Sequence, residues 1–118
     1  MSKKPNLIVD LSFQFSLSII EFTDLLDKNK KYVLSNQLFR SGTAIGVNIA
    51  ESQNAGSREE FIFNMFSAMK EAADTKYWLT LCQSSSDYPD CIELIKNVES
   101  IERIAQKIIR STELNVLN

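Results

Sequence analysis

Three carboxylates and two thiols are the side chains of this sequence whose types and spacing could do chemistry. Glu51, Glu71 and Asp74 stand within or beside apolar helical patterns, and carboxylates grouped in this way can hold a hard cation or share acid–base work. Cys82 and Cys91 are the only cysteines, and a nucleophilic thiol needs a neighbouring base or cation to keep it as thiolate. The chain contains no histidine. That removes the Glu-x-x-His pairs with which helical bundles hold two iron ions, and it removes the usual activating base of a cysteine. Arg40 competes with any cation for the carboxylates. Gly42-x-x-x-Gly46 is no phosphate loop, because it lies inside a helical pattern and no Lys-Ser or Lys-Thr follows it. These residues predict no catalytic group, no metal and no cofactor. The cysteines read as reduced and buried, with a disulfide across one short turn as the alternative.

The elements that position these residues follow from the totals. A chain of 118 residues, 44% hydrophobic and 24% charged, is one domain with enough apolar side chains for a core. Three glycines and two prolines are too few to punctuate a many-stranded fold. The formal charge of -2 gives no general attraction to nucleic acid or anionic lipid. Local cationic clusters remain as candidate nucleic-acid contacts: Lys28, Lys30 and Lys31 in a turn, and Lys3 and Lys4 at the N-terminus. The sequence shows no signal peptide and no membrane-length apolar run, which places the protein in the cytoplasm.

Apolar residues recur at three- and four-residue steps in four segments. Ile8, Leu11, Phe15, Ile19, Phe22 and Leu26 mark a helix over about 7–27, and Phe13, Leu17 and Ile20 give it a second apolar line. Leu34, Leu38, Ile45 and Ile49 mark a helix over about 32–54, with Gly56 as candidate C-cap. Ser57-Arg58-Glu59-Glu60 has the form of a capping box opening a helix over about 57–86. Its seam is Phe61, Met65, Ala68, Ala72, Thr75, Leu79 and Cys82, widened by Ile62, Phe66, Met69 and Ala73, as a central helix requires. A last helix over about 89–111, with Pro89 in its opening turn, carries Cys91, Leu94, Val98, Ile101, Ala105 and Ile108; the tail from about Ser111 should fray. Four such helices joined by short turns predict an all-α, antiparallel up-down-up-down four-helix bundle.

Within the second segment Gly42, Gly46 and Ala50 form a groove at four-residue steps where a helix can approach closely. Tight packing inside the bundle is one reading of it and a helix of another subunit is the other. Arg40, Asn48 and Glu51 flank the groove. With Glu71 of the third segment they are expected to form a partly buried polar network, since charges beside an apolar seam must be paired. Tyr77, Trp78 and Phe63 lie off the main seam; with Phe13, Leu17 and Ile20 they could make an apolar belt of the kind that marks association surfaces.

The run RSGTAIGVNIAESQNAGSREEFIFNMFSAMKEAADTKYWL, Arg40 to Leu79, resembles the family of small bacterial four-helix bundle proteins found as reading frames in intervening sequences of 23S rRNA genes. The pattern R-S-x-T-x-I-x-x-N-I-x-E, then S-x-x-E-F, then E-A-x-x-T-x-Y-W-L carries the resemblance, and SFQFSLSII, Ser12 to Ile20, extends it to the first helix. Arg40, Thr43, Asn48, Glu51, Glu71, Thr75, Tyr77 and Trp78 fall at that family's recurrent polar and aromatic positions. The resemblance implies a four-helix bundle without known enzymatic activity, distantly similar to the accessory proteins of diversity-generating retroelements. Those relatives are homopentamers that bind a reverse transcriptase and nucleic acid through a basic surface, from which the acidic balance of this chain departs. The expected protein is a non-enzymatic homo-oligomeric scaffold or adaptor, a pentamer by resemblance; an accessory protein that binds RNA or DNA beside a nucleic-acid enzyme is the alternative.

Overall fold

The computed structural model describes residues 6–117. Four helices account for nearly all of them: α1 (Leu7–Lys28), α2 (Tyr32–Ser52), α3 (Arg58–Ser84) and α4 (Ile92–Leu117). As numbers rise along α1 they fall along α2: Gly46 meets Ser12 and Ser16, Gly42 meets Ile19, and Ser35 meets Thr23. Lys76 of α3 meets Glu99 and Glu102 of α4. Each helix packs on its sequence neighbours and α4 closes the ring on α1, which is the up-down-up-down bundle the short connections impose. Within this ring α3 packs between α2 and α4. Lys3 and Lys4 lie outside the described residues.

The seams form the core. Ile8, Phe15, Ile19, Phe22 and Leu26 of α1 are buried, as are Leu38, Ile45 and Ile49 of α2, and Met65, Ala68, Ala72, Thr75, Leu79 and Cys82 of α3. From Cys91, just before α4, the buried line continues through Leu94, Val98, Ile101, Ala105 and Ile109, so its last step is four residues and Ile108 sits half-buried beside it. Small polar residues are buried between helices as well. Ser35 Oγ donates to the Thr23 carbonyl at 3.2 Å. Thr75 Oγ1 lies 2.8 Å from both Ser41 Oγ and the Glu71 carbonyl; the Thr75 proton satisfies one and the Ser41 hydroxyl donates the other.

The connections depart from the sequence reading in three places. Gly56 is not a C-cap: no glycine has positive φ. Instead α2 ends in tight turns, Gln53 N to Ala50 O, Asn54 N to Glu51 O and Ala55 N to Ser52 O, while the Gly56 amide donates to Glu60 Oε2 at 2.9 Å. Ser57 Oγ accepts from the Glu60 amide at 3.1 Å, so the reciprocal cap forms with its carboxylate reaching one residue further back. Helix α4 begins at Ile92, not 89, because Gln83 of α3 holds the turn: its Oε1 accepts from the Cys91 amide at 2.7 Å and its Nε2 donates to the Asp90 carboxylate at 2.8 Å. At the other end α4 continues to Leu117, past the expected fraying point, since no glycine or proline interrupts the run after Ser111. The α1–α2 turn needs one left-handed residue, and Lys30 supplies it at φ 61.

Candidate functional site

The two glycines of the α2 groove face α1 within the same chain. A Cβ on Gly42 would lie 2.8 Å from Ile19 Cγ1 and 3.0 Å from Cδ1 and Cγ2, closer than carbon atoms pack, so this position admits hydrogen alone. A Cβ on Gly46 would lie 3.1 Å from Ser16 Oγ and 3.4 Å from the Ser12 carbonyl oxygen. Gly46 is only half-buried. Beside it a cleft of about 330 Å³ opens outward, lined by Val9, Phe13, Val47 and Ala50 with Ser12, Ser16 and Thr43. Ala50, the third residue of the expected groove, is exposed on its wall.

The expected polar network reduces to one pair. Arg40 Nη1 lies 3.4 Å from both Glu71 carboxylate oxygens, with the arginine side chain 58% exposed and the glutamate 22%. A pair that open to water contributes at most about 1 kcal/mol. Asn48 instead donates to its own helix at the Ala44 carbonyl, 2.9 Å away, the common resting place of a short amide in a helix. Glu51 points to solvent. Glu51, Glu71 and Asp74 do not converge: among the described residues no group of three or more Cys, Asp or Glu side chains is arranged to hold a metal ion.

Tyr77 and Trp78 separate by function of position. Tyr77 is exposed, while Trp78 packs on the core edge with its ring 5.4 Å from that of Tyr77 in an edge-on contact. Trp78 Nε1 is buried without a hydrogen-bond partner, so the indole offers no donor outward. The turn lysines also divide: Lys28 and Lys30 are exposed, and Lys31 Nζ sits 4.9 Å over the Tyr88 ring, joining the α1–α2 turn to the α3–α4 turn.

Large apolar side chains left in water lie on three helices. On α1 they include Phe13, Leu17 and Ile20; on α2, Val33, Phe39 and Val47; on α3, Phe63, Phe66, Tyr77 and Leu81. Phe63 is 68% exposed and Phe66, expected to widen the core seam, is 51% exposed. By contrast the large apolar side chains exposed among the described residues of α4 are Ile92 and Leu114. Between them Lys96, Arg103, Lys107 and Arg110 recur at steps of seven, four and three, within about 60° of one another around the helix. Sequence periodicity concealed Phe39, Val33 and Phe66, because an apolar residue near a seam has the same spacing whether it is covered or not. The α4 cations were legible as spacing and hidden only by the slightly acidic total.

Two comparisons bear on these surfaces. The sequence model of the family described as 23S rRNA-intervening sequence protein matches residues 4–110. A crystal structure of a protein of unknown function from the S23 ribosomal protein family of Bacteroides thetaiotaomicron is similar at 33% identity, covering 86% of this chain and 97% of that one, with a TM-score of 0.78. Among curated proteins none matches.

Proposed function

The chain belongs to the family of 23S rRNA-intervening sequence proteins, and from that membership and its surface we propose that it is a non-enzymatic, homo-oligomeric scaffold or adaptor. The observation that carries this reading is the exposed apolar surface on α1, α2 and α3, with Phe13, Phe63 and Tyr77 each at least 60% exposed. Burying a large apolar side chain stabilises by roughly 1.5–3 kcal/mol, so a lone bundle leaves several such contributions unused. A pentamer is the count implied by resemblance to retroelement accessory proteins. No helix among the described residues is long and apolar enough to cross a membrane, and the two free thiols suit a reducing cytoplasm.

Light scattering on a sizing column tests the assembly. The natural chain should elute as a fixed multiple of its 13.4 kDa mass, and Phe13→Glu with Phe63→Glu should run as a monomer with an unchanged helical spectrum. A natural chain that stays monomeric at high micromolar concentration removes the proposal.

The cation line of α4 favours one second reading, nucleic-acid contact. Glu99 and Glu102 turn towards α3, where Lys76 Nζ meets them at 3.1 and 3.6 Å. Among the described residues Arg103, Lys107 and Arg110 have no carboxylate within ion-pair distance. Contacts to about four phosphates would weaken steeply with salt. A mobility shift with duplex RNA at low salt, lost on Arg103→Glu with Lys107→Glu, supports this reading; no shift at low salt removes it.

A further inference from the structure

Cys82 and Cys91, the only cysteines of the chain, meet at one end of the bundle. Cys82 belongs to the last turn of α3 and is 0% exposed; Cys91 immediately precedes α4 and is 3% exposed. The Cys91 thiol donates to the Leu79 carbonyl at 3.2 Å, which is three residues before Cys82 on the same helix. The contact sets the Cys91 sulfur beside Cys82 on the surface of α3.

The two sulfurs are unequal. The hydrogen bond to Cys91, reinforced by burial, pushes the Cys82 thiol far up from its ordinary value. Receiving that bond lowers Cys91, against the opposing effects of burial and of the Asp90 charge. The sulfurs are also held in place. Gln83 staples the turn through the Cys91 amide and the Asp90 carboxylate, and Lys31 over the Tyr88 ring ties the same turn to the far side of the bundle.

We propose that Cys82 and Cys91 form a peroxide-closable clasp, a modification site at which an intrachain disulfide joins the end of α3 to the start of α4. In the first step the Cys91 thiolate attacks one oxygen of hydrogen peroxide, the O–O bond breaks, and Cys91 becomes a sulfenic acid as the other oxygen leaves as water. In the second the Cys82 sulfur attacks that sulfenic sulfur, the S–O bond breaks, and a second water leaves with the Cys82 proton. Two thiols are oxidised and one peroxide is reduced to two waters. The closed clasp spans the turn that holds α4, the helix whose contact with α1 is the loosest of the ring. The proposal is independent of subunit number.

Intact mass spectrometry of the folded protein after treatment with dilute hydrogen peroxide tests it. The expected product has lost two hydrogens, stays monomeric in mass, and melts at a higher temperature than the reduced form until dithiothreitol is added. A peptidase that cuts before Asp87 should leave two fragments joined until reduction. Cys82→Ser and Cys91→Ser should each abolish the linked product, and only Cys82→Ser should retain a sulfenic acid trappable by dimedone. Native thiols that stay reduced under peroxide which oxidises the denatured chain would overturn the proposal, as would oxygen-bearing Cys91 beside an intact Cys82 thiol.

Discussion

Helices α3 and α4 follow one another, have nearly equal lengths of 27 and 26 residues, and bury the same kind of seam, yet their outer faces are opposite in character. The outside of α4 is cationic and amidic, with Lys96, Arg103, Lys107 and Arg110 in water and its Glu99 and Glu102 turned to Lys76. The outside of α3 carries Phe63, Phe66, Tyr77 and Leu81. One apolar stripe suffices to hold a helix in a bundle. A second stripe adds nothing to the packing of the single chain, and it is the surface on which the proposed assembly rests.

Charging each helix in turn separates the two cases most sharply. Val98 of α4 is fully buried, and Val98→Lys should cost roughly 4 kcal/mol by burying an unpaired ammonium. Phe66→Lys on the outer stripe of α3 should change the unfolding free energy of the single chain by no more than about 0.5 kcal/mol while lowering the subunit count. Urea unfolding with light scattering on the same samples measures both. A large loss of chain stability from Phe66→Lys would mean that α3 has one wide stripe and no second face.

The next effect in size contrasts the two glycines of α2. Gly42→Leu places its first side-chain carbon against Ile19, whose branched chain is fully buried and has nowhere to move, so about 3 kcal/mol of destabilisation is expected. Gly46→Ala meets only the Ser16 hydroxyl, which can rotate, and the Ser12 carbonyl at 3.4 Å. Alanine's helix preference of about 1 kcal/mol over glycine offsets that crowding, leaving the urea midpoint close to that of the natural chain. Equal costs at both positions would place the close approach along the whole α1–α2 seam.

Four elements, their order and most of the core were legible because a covered stripe needs apolar residues every three or four positions. Ile19, Leu38, Ala72 and Val98 all follow from that rule. Burial of Ser35 and Ser41 was not legible, since a serine in a tight helix contact and one in water have the same local pattern. Nor was the fate of Asn48 and Glu51: spacing puts them on a face, but only the position of α3 decides whether a partner stands opposite, and α3 offers Glu71 to Arg40 alone. The Gln83 staple that delays α4 depends on a side chain reaching eight residues ahead across a turn, which no helical period encodes.

The smallest expected effect tests the charged half of the comparison. Lys76 is the α3 residue that gathers Glu99 and Glu102 away from the outer face of α4, and its ammonium is held above its ordinary value first by the hydrogen bond to Glu99 and then by the charge of Glu102. Its side chain is 40% exposed, so solvent screens the pair and Lys76→Gln should cost at most about 1 kcal/mol. Because the folded pKa lies above the unfolded value of 10.5, the contribution is complete below that value and fades as pH rises through the folded one. The difference in unfolding free energy between the natural chain and Lys76→Gln should therefore be constant from pH 7 to about 9.5 and shrink above it. A difference that already falls between pH 7 and 9 would mean that Lys76 does not hold the two glutamates in solution, and that the outer face of α4 carries their charge as well as its cations.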